Sequence, residues 1–362
     1  MTVRMIFHRR NGLFKMIFKV ERGLASEYNK IMLVITGSAG FIGSALVWGF
    51  NKRGLDDILI VDSLGKDEKW KNLVNLRFRD FMDKDEFIIR LEKGELDGKI
   101  EDIIHMGACS DTMERDADFL LRNNYEYSKR LALWCLKRSK RLLYASSAAT
   151  YGDGKNGFSD DHSFLPSLRP LNMYAYSKHL FDLWAYRNGF LDKMVGLKYF
   201  NVFGPNEYHK GEMRSVIHKA YEQIKREGKI RLFKSYNPNF RDGWQMRDFV
   251  YIKDVVEATI FLYENRKARG IYNVGTGRAR SFYDLAMAVF RALEVEPNIE
   301  FIDMPEEIRD KYQYWTQADI TKLRKTGFER EFTPLEEAVS DYIRNYLLKP
   351  DPYLGNEFEE RS

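Results

Sequence analysis

The chain has little with which to staple itself together or to enter a membrane. Its 362 residues include only two cysteines, Cys109 and Cys135. That excludes a disulfide framework and points to a reducing compartment, here expected to be the cytoplasm. Six scattered histidines without Cys/His spacing argue against any metal centre. No apolar run reaches the length of a bilayer span. Lysine and arginine form no block and no aromatic-interleaved stripe, so nucleic acid is not an expected partner. The net charge of +5 is diffuse and suits a small anionic ligand. Internal repeats and low-complexity segments are also missing. What remains is an ordinary globular composition, 44% hydrophobic and 31% charged. The length allows two domains or one large, elaborated α/β domain.

The first 31 residues stand apart, with Arg4, His8, Arg9, Arg10, Lys15 and Lys19 set among aromatics and methionines. They read as a targeting or membrane-surface segment, or as an extension from an upstream start codon with Met32 the true beginning. The second reading is the expectation, because a buried strand opens at Ile31. The apolar stretch is also too short and interrupted for a secretory signal.

From Ile31 onward, short apolar strands alternate with helical patterns. Strands are expected at Ile31–Thr36, Asp57–Val61, Ile100–His105, Arg141–Ala145, Val195–Phe200, Arg247–Tyr251 and Ile271–Val274. Helices are expected from the glycine-rich turn to about Lys52, and over Asp118–Arg138, Tyr174–Asn188 and Met213–Glu227. Further helices follow, one capped by Asp254 and running to Glu264, then Ser281–Leu293 and Pro334–Leu348. This alternation predicts a Rossmann-type doubly wound parallel sheet, which binds ligands at its strand ends. The expected division is a 1–31 extension, a dinucleotide-binding domain (32–203 plus about 247–276), and a smaller discontinuous α/β substrate domain (about 204–246 plus 277–349). A C-terminal tail, 350–362, completes the chain.

Two local patterns carry chemistry. Gly37, Gly40 and Gly43 lie between a strand and a helix, where a glycine turn cradles a pyrophosphate against the helix N-terminus. Asp62 ends the next strand about twenty residues on, the spacing of a ribose contact. Its carboxylate favours the 2′-hydroxyl of NAD, whereas Lys69 and Lys84 are placed to pair with the 2′-phosphate of NADP. The second pattern is Tyr174-Ala-Tyr-Ser-Lys178, which puts a phenol and an ammonium one turn apart on one helix face. A neighbouring ammonium favours the phenolate. Bringing a phenol from ~10 to ~7 takes about 4 kcal/mol. Ser147, upstream, is the expected hydrogen-bond partner of the oxygen that is oxidised or reduced.

The glycine loop, Ser147 and Tyr174-x-x-x-Lys178 resemble the extended short-chain dehydrogenase/reductases, many of which act on nucleotide sugars. Longer segments narrow the resemblance. They are Met106-Gly-Ala-Cys-Ser110, Asn123-Asn-Tyr125, Tyr144–Gly152, Tyr199–Pro205, His209-Lys-Gly-x-Met213, Arg247–Tyr251, Asn273–Gly277 and Tyr312–Asp319. Over roughly 32–347 they are similar to the ADP-glyceromanno-heptose 6-epimerase family. That resemblance implies tightly held NADP, with NAD the alternative, and an ADP-sugar substrate for lipopolysaccharide core heptose. It also implies a homo-oligomer, a pentamer.

Epimerisation at C6 then borrows a hydride and returns it to the other face of a transient ketone. By the resemblance, Tyr174 serves one epimer and Lys210 the other. Ser147 polarises the oxygen, while Lys178 tunes Tyr174 and holds the nicotinamide ribose. Implied cofactor contacts are Phe41, Ile42, Asp62, Ser63, Lys69, Lys84, Met106, Gly107, Ala108, Cys109, Ser110, Asn123, Val202 and Lys210. Implied substrate contacts are Ser147, Asn201, Glu212, Lys219, Phe233, Lys234, Ser235, Tyr236, Arg247 and Tyr312. Arg247 is the natural diphosphate partner, because guanidinium binds phosphate bidentately. Met106 stands where the family usually has glutamate.

The competing readings are a UDP-sugar 4-epimerase, a nucleotide-sugar 4,6-dehydratase and a non-catalytic dinucleotide-binding protein. Ser147–Thr150 lacks the Asp-Glu pair that elimination needs. Non-catalytic relatives tend to lose the tyrosine or lysine, which this chain keeps.

Overall fold

The computed structural model describes residues 6–10, 13–17, 31–309 and 312–361. Of the leading segment, only an antiparallel pairing of Ile6–Arg10 with Leu13–Ile17 is described. The expectation of a targeting segment or an upstream start lies outside the described residues.

Seven strands form the main sheet: β1 (Met32–Thr36), β2 (Ile58–Asp62), β3 (Asp80–Asp83), β4 (Ile100–His105), β5 (Leu142–Ser147), β6 (Val195–Tyr199) and β7 (Gly270–Val274). Their order is β3-β2-β1-β4-β5-β6-β7, and every pair is parallel. The short apolar runs follow from burial on both faces. In β1, Leu33 and Ile35 enter one core cluster while Met32 and Val34 enter the other. In β2, Ile58 and Ile60 part from Leu59 and Val61 in the same way.

Helices α1 (Phe41–Lys52), α5 (Val216–Glu227), α6 (Ile252–Glu264), α7 (Phe282–Leu293) and α8 (Leu335–Tyr342) feed the first cluster. Helices α2 (Lys84–Glu92), α3 (Tyr127–Lys137) and α4 (Met173–Arg187) feed the second. The strand order reverses between β1 and β4, which opens a crevice at their C-terminal ends.

Several expected elements are redrawn. The single helix expected over Asp118–Arg138 is a short turn at Ala117–Leu120, a wide π turn at Leu121–Glu126, and then α3. Asp254 does not cap α6, which begins at Ile252. Its carboxylate instead accepts from the Thr333 backbone N–H (2.8 Å) and hydroxyl (3.0 Å). Helix α5 starts at Val216, where Ser215 accepts from the His218 N–H. The expected strand Arg247–Tyr251 is two. Met246–Arg247 pairs with Arg280–Ser281, and Phe249–Tyr251 pairs with Asn201–Phe203. Edge strand β3 and the parallel pair Ile230–Phe233 with Ile299–Ile302 have no counterpart in the sequence reading.

Candidate active site

At the crevice the glycines are required by contact. Gly37 has φ +67°, and a Cβ there would lie 2.5 Å from the Gly107 Cα. A Cβ on Gly43 would lie 2.0 Å from the Gly37 carbonyl oxygen. Gly40 is the N-cap of helix α1, which has no side-chain cap and no acidic residue in its first turn. Its leading N–H groups therefore face the crevice without a side-chain acceptor, an arrangement suited to an anion. Asp62 completes the loop. One carboxylate oxygen accepts from Ala39 N–H (2.8 Å) and the other from Ser63 N–H (2.8 Å) and Lys69 Nζ (2.9 Å). Lys84 pairs with Asp85 at 2.9 Å. These features fit a dinucleotide pyrophosphate and ribose.

Across the crevice, the segment after β4 is set by Asn124. Its amide oxygen accepts from Cys109 N–H (2.8 Å), and its amide nitrogen donates to Cys109 O (2.9 Å) and to Ser177 Oγ on α4 (3.0 Å). The wide turn carries this residue. It falls inside the Asn123-Asn-Tyr125 motif, where Asn123 rather than Asn124 was singled out.

Asn172 caps α4, accepting from Ala175 N–H at 2.8 Å, and so fixes the start of the helix that bears Tyr174 and Lys178. Lys178 Nζ donates to the Ala145 carbonyl at 2.8 Å. Burial pulls its pKa down to about 8, with Asp182 opposing. Ser147 Oγ accepts from the Ala149 N–H at 3.1 Å and lines the same cavity as Tyr174. The expectation that the ammonium lowers the Tyr174 pKa is not met. Burial raises it, and only the nearby Ser147 hydroxyl opposes. The lysine is turned toward a carbonyl, and burial weakens its own charge.

Lys210 arrives from a different direction, on the turn Tyr208–Met213. Its Nζ lies 5.4 Å from the Phe41 ring centroid. Burial lowers its pKa, and Glu207 opposes. Arg247 lies between Phe282 (5.6 Å) and Tyr312 (5.3 Å) and makes no ion pair among the described residues.

One cavity of about 680 Å³ joins these groups. Every residue read as cofactor-binding lines it, together with Ser147, Asn201 and Arg247. Glu212 and Lys219 form an ion pair (3.2 Å) outside its wall. Phe233, Lys234, Ser235, Tyr236 and Tyr312 also lie off the wall, although Tyr312 stacks on Arg247. Tyr236 is turned to Asp303 (3.0 Å), with the Arg309 guanidinium 4.1 Å from its ring centroid.

The sequence reading missed Gln313 and Thr316, which line the cavity from within the Tyr312–Asp319 motif. It also missed Asp248, whose carboxylate accepts from Thr276 N–H (2.8 Å), Thr276 Oγ1 (2.7 Å), Gly277 N–H (2.9 Å) and Ala318 N–H (3.0 Å). That clamp holds Arg247 in place. Its only sequence signal is an acidic residue beside the arginine.

A glycine loop at a topological switch point, facing a tyrosine–lysine pair on a neighbouring helix, defines a nicotinamide-dependent enzyme of the short-chain dehydrogenase/reductase fold. The chain belongs to the NAD dependent epimerase/dehydratase family, whose profile matches residues 33–275. It is 55% identical over 323 residues to the ADP-L-glycero-D-manno-heptose-6-epimerase of Nitratidesulfovibrio vulgaris (strain DP4), covering 89% of this chain and 100% of that one. The enzyme of the same name from Fusobacterium nucleatum is 50% identical over 332 residues, with 89% and 100% covered. Among solved structures, the Helicobacter pylori ADP-L-glycero-D-manno-heptose-6-epimerase matches with a TM-score of 0.73 at 26% identity, covering 88% of this chain and 97% of that one. Among the described residues, no helix is long and apolar enough to cross a membrane. Nor, among them, does any group of three or more His, Cys, Asp or Glu stand ready to hold a metal.

Proposed function

We propose that this protein interconverts ADP-D-glycero-D-manno-heptose and ADP-L-glycero-D-manno-heptose by epimerisation at C6, supplying heptose for lipopolysaccharide core. The observation that carries the reading is that two proton-handling groups from separate elements, Tyr174 on α4 and Lys210 on the 208–213 turn, line one cavity with the glycine loop. A simple dehydrogenase needs one such group, whereas epimerisation needs one for each face. The 50–55% identity to enzymes of that name over their full length supports the substrate.

Gly37, Gly40 and Gly43 with the α1 N-terminus hold the pyrophosphate, and Asp62, Ser63, Lys69 and Lys84 surround the adenosine ribose. NADP is favoured over NAD because two lysines stand beside that ribose position. A nicotinamide held there would supply the hydride chemistry at C6, and the residues around it position the sugar and move its hydroxyl proton. Tyr174 takes or gives the hydroxyl proton of one epimer, while Ser147 donates a hydrogen bond to the same oxygen. Lys178 fixes the depth of that site by anchoring α4 to β5. Lys210 moves the corresponding proton of the other epimer, and its lowered pKa raises the share of neutral amine available as base. Arg247, free of a carboxylate partner among the described residues, receives the substrate diphosphate. A cytoplasmic location accords with Cys109 and Cys135 remaining free thiols.

The test is incubation of the purified protein with ADP-D-glycero-D-manno-heptose, followed by NMR. A mixture of the two C6 epimers is expected, and unchanged substrate would overturn the proposal. Mass spectrometry of the ligand released on denaturation should show NADP. NAD in its place would overturn the cofactor assignment alone.

A further inference from the structure

Lys210 stands on no long helix or strand that would set its direction. Its six-residue turn is broken at Gly211, where φ is 52°. Two buried asparagine amides hold the turn instead. Asn72, 1% exposed, donates from Nδ2 to the Ala39 carbonyl (2.9 Å) and the Asn206 carbonyl (3.0 Å), and lies 3.2 Å from His209 Nδ1. An amide nitrogen carries two hydrogens, so these three acceptors share them. Burial lowers the His209 pKa to about 4, so its ring is neutral near pH 7 and able to accept. The Ala39 N–H is in turn held by Asp62. One hydrogen-bonded path thus joins the ribose-site aspartate to the residue preceding Lys210.

Asn206 is fully buried and adopts φ +75°, a conformation uncommon outside glycine. Its amide nitrogen donates to Ser44 Oγ on α1 (2.9 Å), and its amide oxygen accepts from Leu354 N–H (3.0 Å). The Tyr208 hydroxyl donates to the Pro352 carbonyl at 2.6 Å, and Leu354 is fully buried. The segment expected as a tail is therefore docked against the turn that carries Lys210.

We propose that Asn72 and Asn206 are positioning residues, an amide latch that fixes Lys210 relative to the dinucleotide loop. The inference rests on the two-base reading above. Proton transfer requires heavy-atom approach of about 2.6–3.2 Å. A displacement of about 1 Å costs up to ~100-fold in rate. Asn206→Gly keeps the positive φ while deleting one amide, and Asn72→Ala deletes the other.

The experiment mixes cofactor-loaded protein rapidly with each epimer separately and reads the near-ultraviolet absorbance of the reduced nicotinamide. Lys210→Met identifies which half-reaction depends on the lysine. Both latch variants are expected to slow that same half-reaction by about 10–100-fold and to leave the other at the parent rate. Amide hydrogen exchange over 207–214 should rise in both. A general structural defect would slow both half-reactions alike, and that result, or no slowing of either, would overturn the latch. A Lys210→Met protein with both half-reactions intact would overturn the two-base reading and the latch with it.

Discussion

Lys198 Nζ lies 3.0 Å from the Asp182 carboxylate, with both side chains removed from solvent. Lys198 is on β6, and Asp182 is on α4, one turn beyond Lys178. The same carboxylate accepts from the Tyr144 hydroxyl (2.9 Å) and Ser146 Oγ (2.7 Å). Lys198 also donates to Thr150, whose hydroxyl donates to the Ser147 carbonyl (2.7 Å). The pair therefore ties the helix of Tyr174 to the strand end of Ser147. Breaking a buried pair from one side strands a charge. Lys198→Met should lower the unfolding free energy by about 3–5 kcal/mol, as read by urea denaturation. Adding Asp182→Asn should recover part of the loss. A Lys198→Met protein as stable as the parent would contradict the assignment.

Tyr174→Phe removes only the hydroxyl. Turnover should fall by ~10²–10⁴-fold, while the amount of bound cofactor stays unchanged, because the loop and Asp62 are untouched. Loss of cofactor along with activity would assign Tyr174 a binding role instead.

Gly43→Ala tests the cradle. The added Cβ meets the Gly37 carbonyl oxygen at 2.0 Å, which is backbone and cannot swing aside. Purified variant should carry at least ~10-fold less dinucleotide, measured on denatured samples, with its far-ultraviolet circular dichroism retained. Full cofactor content would show that the loop opens without cost.

Acid should unfold the protein steeply, for a reason located in its histidines. Burial holds His105 down to about 3 and His162, His179, His209 and His218 down to about 4. Unfolded imidazole titrates near ~6.5, so between about 6.5 and 4 the unfolded chain binds more protons. Stability then falls as the pH drops, by ~1.4 kcal/mol per pH unit for each histidine charged only when unfolded. Asp160, raised by burial to about 6, takes up its proton in the folded state over much of this window and opposes the trend. Glu207, Asp248 and Asp254, whose carboxyls burial also pushes up, oppose it in the same way, and four groups against five do not reverse it. Urea midpoints measured from pH 7 to 4 should decline throughout, and a flat profile would contradict the buried-neutral assignment.

The parts of this protein legible in its sequence are those set within one strand–turn–helix or one helix. Gly37, Gly40 and Gly43 are close enough in the chain for the turn itself to dictate them. Tyr174 and Lys178 share a face because a helix turns once in 3.6 residues. Strands β1 and β2 announce themselves as apolar runs, whereas β3, Asp-Phe-Met-Asp with one buried residue, offers no such pattern. The Lys210 assignment came from resemblance, since no local period marks a lysine in a turn.

Tertiary structure alone decided the rest. It joined Asn72 to Asn206 across 134 positions, gave Asp254 to Thr333 rather than to its own helix, and seated Pro352 and Leu354 beside the Lys210 turn. It also set the Tyr174 pKa upward, against the sign that an adjacent lysine suggests. Dihedral preference and side-chain period act over a few residues, and the sequence displays them directly. Burial and long-range hydrogen bonding depend on which surfaces meet once the sheet has closed, and no stretch of the chain encodes that by itself.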